Sequence, residues 1–223
     1  MTFLSGARSF AKSFVALASL SSLPLAGHAA FVTPDSVIAS SFFDASYQPE
    51  NTIDGSGMPI AYDASSTHAA YTAGNHWTTA NGALPEDSWI EWQFSPGQSL
   101  DAIYLWNHQS TQPHASDGNY DVTLFDLTIY NADNVMMLAL NDVGLLPDSS
   151  GAQTIGFGGV LTGVSRVRFE IEAIQRGSNS GYTGLAEVGF NAPSASVAAP
   201  GPAGALWMLP ALLLLLRRLT RKA

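Results

Sequence analysis

The chain has 223 residues and no cysteine, which excludes a disulfide framework, a thiolate zinc site and a thiol nucleophile. All eighteen carboxylates lie between Asp35 and Glu187, where the only cations are Arg166, Arg168 and Arg176. Residues 30–199 therefore carry 3 − 18 = −15, a charge that the whole-chain value of −9 hides. Such a surface repels nucleic-acid phosphates and anionic lipid headgroups, and it suits neutral ligands and bound cations.

In chain order, the N-terminus comes first. Arg8 and Lys12 form a basic zone, Ser13 to Leu25 a short apolar one, and "GHA" places small residues before Ala30. That order predicts a secretory signal peptide over residues 1–29; the alternative is a buried N-terminal helix. The segment 30–192 is one domain's length. Its dominant pattern is period two, in which alternate side chains face opposite sides of a strand. Strands are predicted at "SVIASS" (36–41), "SWIEWQF" (88–94), "LDAIYLWN" (100–107), "LFDLTIY" (124–130), "QTIGF" (153–157), "VSRVRFEIEA" (164–173) and "GLAEVGF" (184–190). Ile90, Trp92 and Phe94 are expected inside, with Trp89, Glu91 and Gln93 outside; Val167, Phe169 and Ile171 alternate with Arg and Glu that pair across strands. Turn sequences "DGSG", "SPGQ", "SDGN", "NADN", "PDSSG" and "GSNSG" separate the strands. Residues 56–76 read as a long loop carrying His68 and Tyr71. Strands of this kind without helical periodicity, except at the two termini, predict an antiparallel β-sandwich or jelly roll.

Several chemistries are set aside. Asp117, Asn119 and Asp121 begin like an EF-hand loop, but Val122 and Thr128 stand where Gly and Glu are needed. His108 and His114 with Asp117 are too nonspecific for a zinc site. "GFGGVLTG" leads to neither the Lys nor the helix of a phosphate loop. A glycosidase carboxylate pair cannot be recognised from spacing alone.

The opening "VIASSFFDASYQPENTIDG", then "NHWTTA", the strand pair "SWIEWQF" and "LDAIYLWN", and the closing "VSRVRFEIEA" and "GLAEVGF" run in order over residues 36–191. Together they resemble discoidin domains, also called coagulation-factor type C domains. The resemblance implies a galactose-binding-like jelly roll of about eight strands that binds carbohydrate, or in some branches lipid or protein, and is not an enzyme. It also implies a structural Ca²⁺, with Asn51 (through its carbonyl), Asp54, Asn75, Ala186 and Glu187 at the matching positions. The alternative is that Asp54 only caps a turn and Glu187 is an ordinary strand carboxylate. The family's ligands sit on loops at one end of the sandwich. On the matching loops the candidates are Asn107, His108, His114, Arg176, Asn179 and Tyr182; the alternative for a His or Asn here is a solvated loop residue, and for Arg176 a surface salt bridge to a nearby carboxylate. Trp77 is expected in the core.

The chain closes on a linker (193–202) containing Pro200, Gly201 and Pro202, an apolar run from Ala203 to Leu216 interrupted by Pro210, and the basic "RRLTRK". Fourteen apolar residues fall short of the ~20 of a comfortable span. The order resembles PEP-CTERM sorting signals, with Pro-Gly-Pro in place of Pro-Glu-Pro. It implies transient anchoring in the inner membrane, processing by an exosortase-type enzyme, and delivery to the surface or extracellular matrix of a Gram-negative bacterium. A weak permanent anchor and a core helix are the alternatives. The functional expectation is an exported carbohydrate- or exopolysaccharide-binding module; the others are a structural surface protein without sugar binding and a cryptic polysaccharide hydrolase.

Overall fold

The computed structural model describes residues 31–108, 120–147, 149–175 and 181–193, without the side chains of residues 95 and 96. The expected signal peptide and its helix, the Pro200–Gly201–Pro202 motif and the C-terminal hydrophobic helix lie outside the described residues. No helix among the described residues is long and apolar enough to cross a membrane.

Eight strands form, all pairing antiparallel: Phe31–Val32 (β1), Ser36–Ala39 (β2), Trp77–Thr78 (β3), Trp89–Asn107 (β4), Val122–Asn131 (β5), Met136–Gly144 (β6), Gln153–Ile174 (β7) and Gly184–Asn191 (β8). The only helical turns among the described residues are 3-10, at Pro49–Thr52 and Pro85–Asp87. The order is β1-β8-β4-β7-β5-β6, with β2 also on β4 and β3 also on β8. The expected all-β antiparallel sandwich is therefore present. It is made by one curled sheet whose two long strands, β4 and β7, run through both layers. The first part of β4 pairs with β2 and with Arg166–Glu170, and its last part pairs with β8 and with Gln153–Gly156. Closure of the curl brings Trp92 and Phe94 of β4 against Phe190 of β8, with ring centres 5.4 and 4.8 Å apart.

Alternation built this core. Ile90, Trp92, Phe94, Phe125, Leu127, Ile129, Val167, Phe169 and Ile171 are all buried. Three expectations are corrected. "SPGQ" does not end a strand: Gly97 takes a positive φ of 95°, and the register slips between Gln93 and Gln98, so β4 bends and continues. A bulge of this kind re-aims a strand without ending its pairing. "GFGGVLTG" is the corresponding flexure of β7, with positive φ at Gly158 and Gly163. Glu91, expected to face solvent, has a side chain only 6% exposed, with Arg166 at 3.4 Å and Arg168 at 3.8 Å. Those guanidiniums lie over the Tyr130 and Trp89 rings. Pairing and cation–π contact cover a carboxylate that burial alone would penalise. Strand β6 gave no sequence signal, because an edge strand contacts a neighbour along one side only and "MMLALNDVG" does not alternate cleanly.

One glycine holds the end where β3 meets β8. A Cβ on Gly184 would lie 1.9 Å from the Trp77 carbonyl oxygen and 2.8 Å from its carbon. Neither atom can move without breaking the β3–β8 pair, Thr78 to Gly184 and Trp77 to Leu185. We expect Gly184→Ala to cost at least about 2 kcal/mol in urea unfolding. A loss below about 0.5 kcal/mol would show that the two backbones are not in this contact.

Candidate functional site

The site lies at the end of the sandwich where β4 and β7 finish and β5 and β8 begin, marked by the pairings Asn107 to Leu185 and Val122 to Ile174. Asn107 organises it. Its amide donates to the Val122 and Leu146 carbonyls at 2.8 and 3.1 Å, and its oxygen accepts from the His108 and Val122 N–H groups at 2.9 and 3.0 Å. Asn107 is fully buried and its bonding capacity is spent on the backbone. It is therefore a brace for the site and not the ligand contact expected from the sequence.

Around this brace five segments deliver aromatic rings. The loop after β2 supplies Phe43 and Tyr47, tied down by Phe43 N–H to Thr78 O and Thr78 N–H to Tyr47 O. The long loop supplies Tyr71, which leads into His76. His108 leaves β4, Tyr120 leads into β5, and Tyr182 precedes β8. The rings form a continuous network. Phe43 meets Tyr47 at 5.6 Å and Tyr182 at 5.3 Å, and Tyr182 meets Tyr120 at 5.5 Å. Tyr47 stacks on Tyr71 at 6.1 Å, and Tyr71 lies 3.9 Å from His76 and 5.0 Å from His108. Phe43 is 46% exposed, and Tyr47, Tyr71, Tyr120 and Tyr182 are half-buried. The surface is thus a platform with apolar faces and phenolic edges, backed by two buried imidazoles.

Of the residues expected to bind ligand, the structure brings His108 and Tyr182 to this end. His114, Arg176 and Asn179 lie outside the described residues. Phe43, Tyr47 and Tyr120 carry no motif that marks them as site residues, and the sequence shows Tyr71 only as part of a long loop. The available signal was compositional: "SFFDASY" puts three aromatics in an otherwise polar connector. Trp77 is in the core as expected, with its indole N–H on the Ser41 carbonyl.

The imidazoles are neutral. Burial, followed by the nearness of His108 and His68, lowers His76 from 6.5 to about 2. Burial, followed by His68, lowers His108 from 6.5 to about 3. His76 Nδ1 donates to Asn75 Oδ1 at 2.7 Å, and His108 Nε2 shares a hydrogen bond with Thr78 Oγ1 at 2.9 Å. Burial, and then the hydrogen bond with Tyr47, also hold Tyr71 protonated far above neutrality.

Of the expected metal residues, Asn51 and Asn75 adjoin the platform, and Asp54 and Glu187 lie beside it. Asp54 is exposed and its Oδ1 accepts from the Ser56 N–H, as a turn cap does. Glu187 is fully buried; its oxygens take the Gly55 N–H at 3.1 Å and the Tyr62 hydroxyl at 3.3 Å. Burial, and then the nearby Asp54 charge, push its pKa up to about 8. Asn51 donates its amide to the Ser46 and His76 carbonyls. Asn75 does not match the expectation of an oxygen ligand: its Oδ1 already accepts from the Thr72 N–H and from His76. No group of three or more His, Asp or Glu side chains that could hold a metal occurs among the described residues. A cleft of about 390 Å³ opens near the β5–β6 turn, at the opposite end, lined by Gln93, Phe94, Asn134 and Arg166. Its one cation is already engaged by Glu91 and Tyr130.

No family model matches the sequence, and no curated protein is similar to it in sequence. Solved structures are similar in fold. A mutant of the lectin domain of lectinolysin, complexed with Lewis b, superposes with a TM-score of 0.50 at 14% identity, covering 71% of this chain and 92% of that one. A fucose-binding module of Streptococcus pneumoniae gives 0.48 at 16% identity over 73% and 92%. A pectin-binding carbohydrate-binding module gives 0.49 at 16% over 75% and 94%. At these identities the likeness defines the fold, an antiparallel β-sandwich whose structural neighbours are carbohydrate-binding modules.

The depressed histidines fix a pH dependence. The unfolded chain takes up protons at His76 and His108 below pH ~6.5 that the folded chain refuses. Their contribution to stability is therefore full above 6.5 and is lost as pH falls toward 3, at roughly 1 kcal/mol per pH unit for each ring. Glu187 acts in the opposite sense between its unfolded pKa of about 4.5 and 8, favouring the fold at the acid end of that window. We expect urea-unfolding free energy to decrease from pH 6.5 to 4.5 and the slope to flatten in the His76→Gln, His108→Gln double variant; an unchanged slope would refute the assignment.

Proposed function

We propose that this chain is an exported, non-enzymatic carbohydrate-binding module whose ligand lies on the Phe43–Tyr47–Tyr71–Tyr182 platform. The platform is the observation that carries the reading. Tyrosine supplies a rigid ring for the apolar face of a sugar and a hydroxyl at the ring edge for its polar groups, at low cost in side-chain entropy. The two imidazoles beneath are uncharged at physiological pH, and neither Arg166 nor Arg168, the only Arg or Lys among the described residues, belongs to this end. Together with the −15 charge this favours a neutral glycan over an acidic one. The lectin domain complexed with Lewis b, which is similar in fold, supports the class of ligand. The basic, apolar and small-residue order of residues 1–29 supports export, and the Pro-Gly-Pro, apolar and basic order of the tail supports sorting to the cell surface by an exosortase-type enzyme.

A glycan array followed by calorimetry tests the site. Tyr71→Ala and Tyr182→Ala are each expected to weaken the best ligand at least about tenfold, or 1.4 kcal/mol. Asn134→Ala, at the opposite end, is expected to leave affinity unchanged. Absence of any glycan ligand would favour the second reading, a surface protein that makes protein contacts. That reading has its own observation: the free edge strand β6 exposes Met136 at 59%, beside Val135 at 57%.

Ca²⁺ is a separate part of the proposal. The buried Glu187 and the adjacent Asp54 have no basic partner, since both described arginines serve Glu91 and Glu170. A proton or a divalent cation relieves such a pair. With Asn75 excluded, Asp54, Glu187 and the carbonyls of Asn51 and Ala186 would hold the ion. Excess Ca²⁺ is expected to raise the melting temperature more at pH 9 than at pH 6, where the Glu187 proton competes. No shift at either pH would remove the ion from the account.

A further inference from the structure

Beneath the tyrosine platform two ring nitrogens lack partners. His76 Nε2 and His108 Nδ1 are both buried and make no hydrogen bond. Their residues are 0% and 1% exposed. A buried polar atom without a partner is costly, and an unaccounted water or ion is a recurrent reason for one. Two such atoms on neighbouring rings call for a common explanation.

We infer that His76 and His108 form a two-imidazole binding site for a divalent transition-metal ion of the Cu²⁺, Ni²⁺ or Zn²⁺ type, distinct from the oxygen ligands around Asp54. Two observations converge on it. First, the opposite nitrogen of each ring is held by a side-chain oxygen, Asn75 Oδ1 for His76 and Thr78 Oγ1 for His108. That is the outer-shell arrangement which orients metal-bound imidazoles and sets which nitrogen is left for the ion. Asn75 is itself anchored by the Thr72 N–H and the Ala70 carbonyl, so the orientation is built into the long loop. Second, the ring centres are 4.8 Å apart with planes at 88°. An imidazole at a metal–nitrogen distance of about 2.0–2.1 Å places its ring centre about 3.2 Å from the ion, so two rings subtending roughly 100° have centres about 4.9 Å apart. Neutral imidazole suits this class of ion, whereas Ca²⁺ seeks oxygen. The acidic surface raises the local concentration of cations. With two protein ligands the ion retains positions for water or for hydroxyl groups of a bound molecule.

The test uses the full chain, stripped with chelator and held in excess Ca²⁺ so that oxygen sites are filled. Calorimetric titration with Cu²⁺ and with Zn²⁺ is expected to show binding that His76→Ala and His108→Ala each abolish. Asn75→Ala and Thr78→Val are expected to weaken it about tenfold or more through the outer shell. Electron paramagnetic resonance of the Cu²⁺ form of the unmodified chain should show coupling to two imidazole nitrogens, which keeps the inference testable if a histidine variant fails to fold. A flat titration, or binding that survives both histidine substitutions, overturns the site. Coupling to no imidazole nitrogen, or to only one, overturns it as well. Glycan affinity is a separate measurement, so the metal site and the lectin reading can fail independently.

Discussion

Three buried tryptophans govern the rest of the molecule, because each reaches out of the core to hold a loop. The Trp77 indole N–H donates to the Ser41 carbonyl, that of Trp92 to the Thr52 hydroxyl, and that of Trp106 to the Ser66 carbonyl. A buried indole N–H has to find an acceptor, and here the acceptors belong to connectors that make few ladder bonds of their own. Trp77 and Trp92, which fill the sandwich, and Trp106, buried on the other face of β4, thus fix where residues 41–52 and 66 run. Trp106 also meets Phe31 and Tyr62, and Tyr62 in turn covers Glu187. Core packing and loop placement are one constraint in this chain.

That constraint explains how a site can be assembled from irregular segments. Tyr71 and His76 belong to a loop whose regular pairing is limited to the bridge between Thr67 and Gly151. The His68 ring spans the Ser56 and Ala69 carbonyls, and Asn75 closes the last turn onto Ala70. Side-chain amides and imidazoles here do the work that ladder bonds do in the strands. Asn107 does the same at the end of β4. The result is a half-exposed aromatic surface over polar groups that are individually fixed, which is the combination a selective binding site requires.

Electrostatics divides the molecule. On the outer face near the start of β4, Arg166 and Arg168 pair with Glu91 and Glu170 and stack on aromatic rings. The loop end has neutral buried imidazoles, and beside it stand Glu187 and Asp54 without a described cation. Burial, with no local counter-charge to offset it, moves the pKa values of the two imidazoles and of Glu187 away from their ordinary range. Groups displaced in this way cluster where a ligand or ion completes the environment.

Most of the sandwich was legible in the sequence. Strict alternation in "SWIEWQF", "LFDLTIY" and "VSRVRFEIEA" identified the buried set, because a strand between core and solvent has no other pattern open to it. The merging of predicted strands into β4 and β7 was not legible, since a turn-like Gly-Pro cluster and a bulge have the same composition. Strand β6 was hidden by its edge position. The platform was hidden for a different reason: Phe43 and Tyr182 are 139 positions apart in the chain and their rings 5.3 Å apart in space. Sequence alone determined the all-β class, the core residues and the acidity, which are properties of local pattern and composition. Only the tertiary structure decided that Asn107 and Asn75 brace the site, that Glu91 is covered, and that two histidines share a buried space, because those roles are set by which neighbours a side chain finds once the sheet has curled.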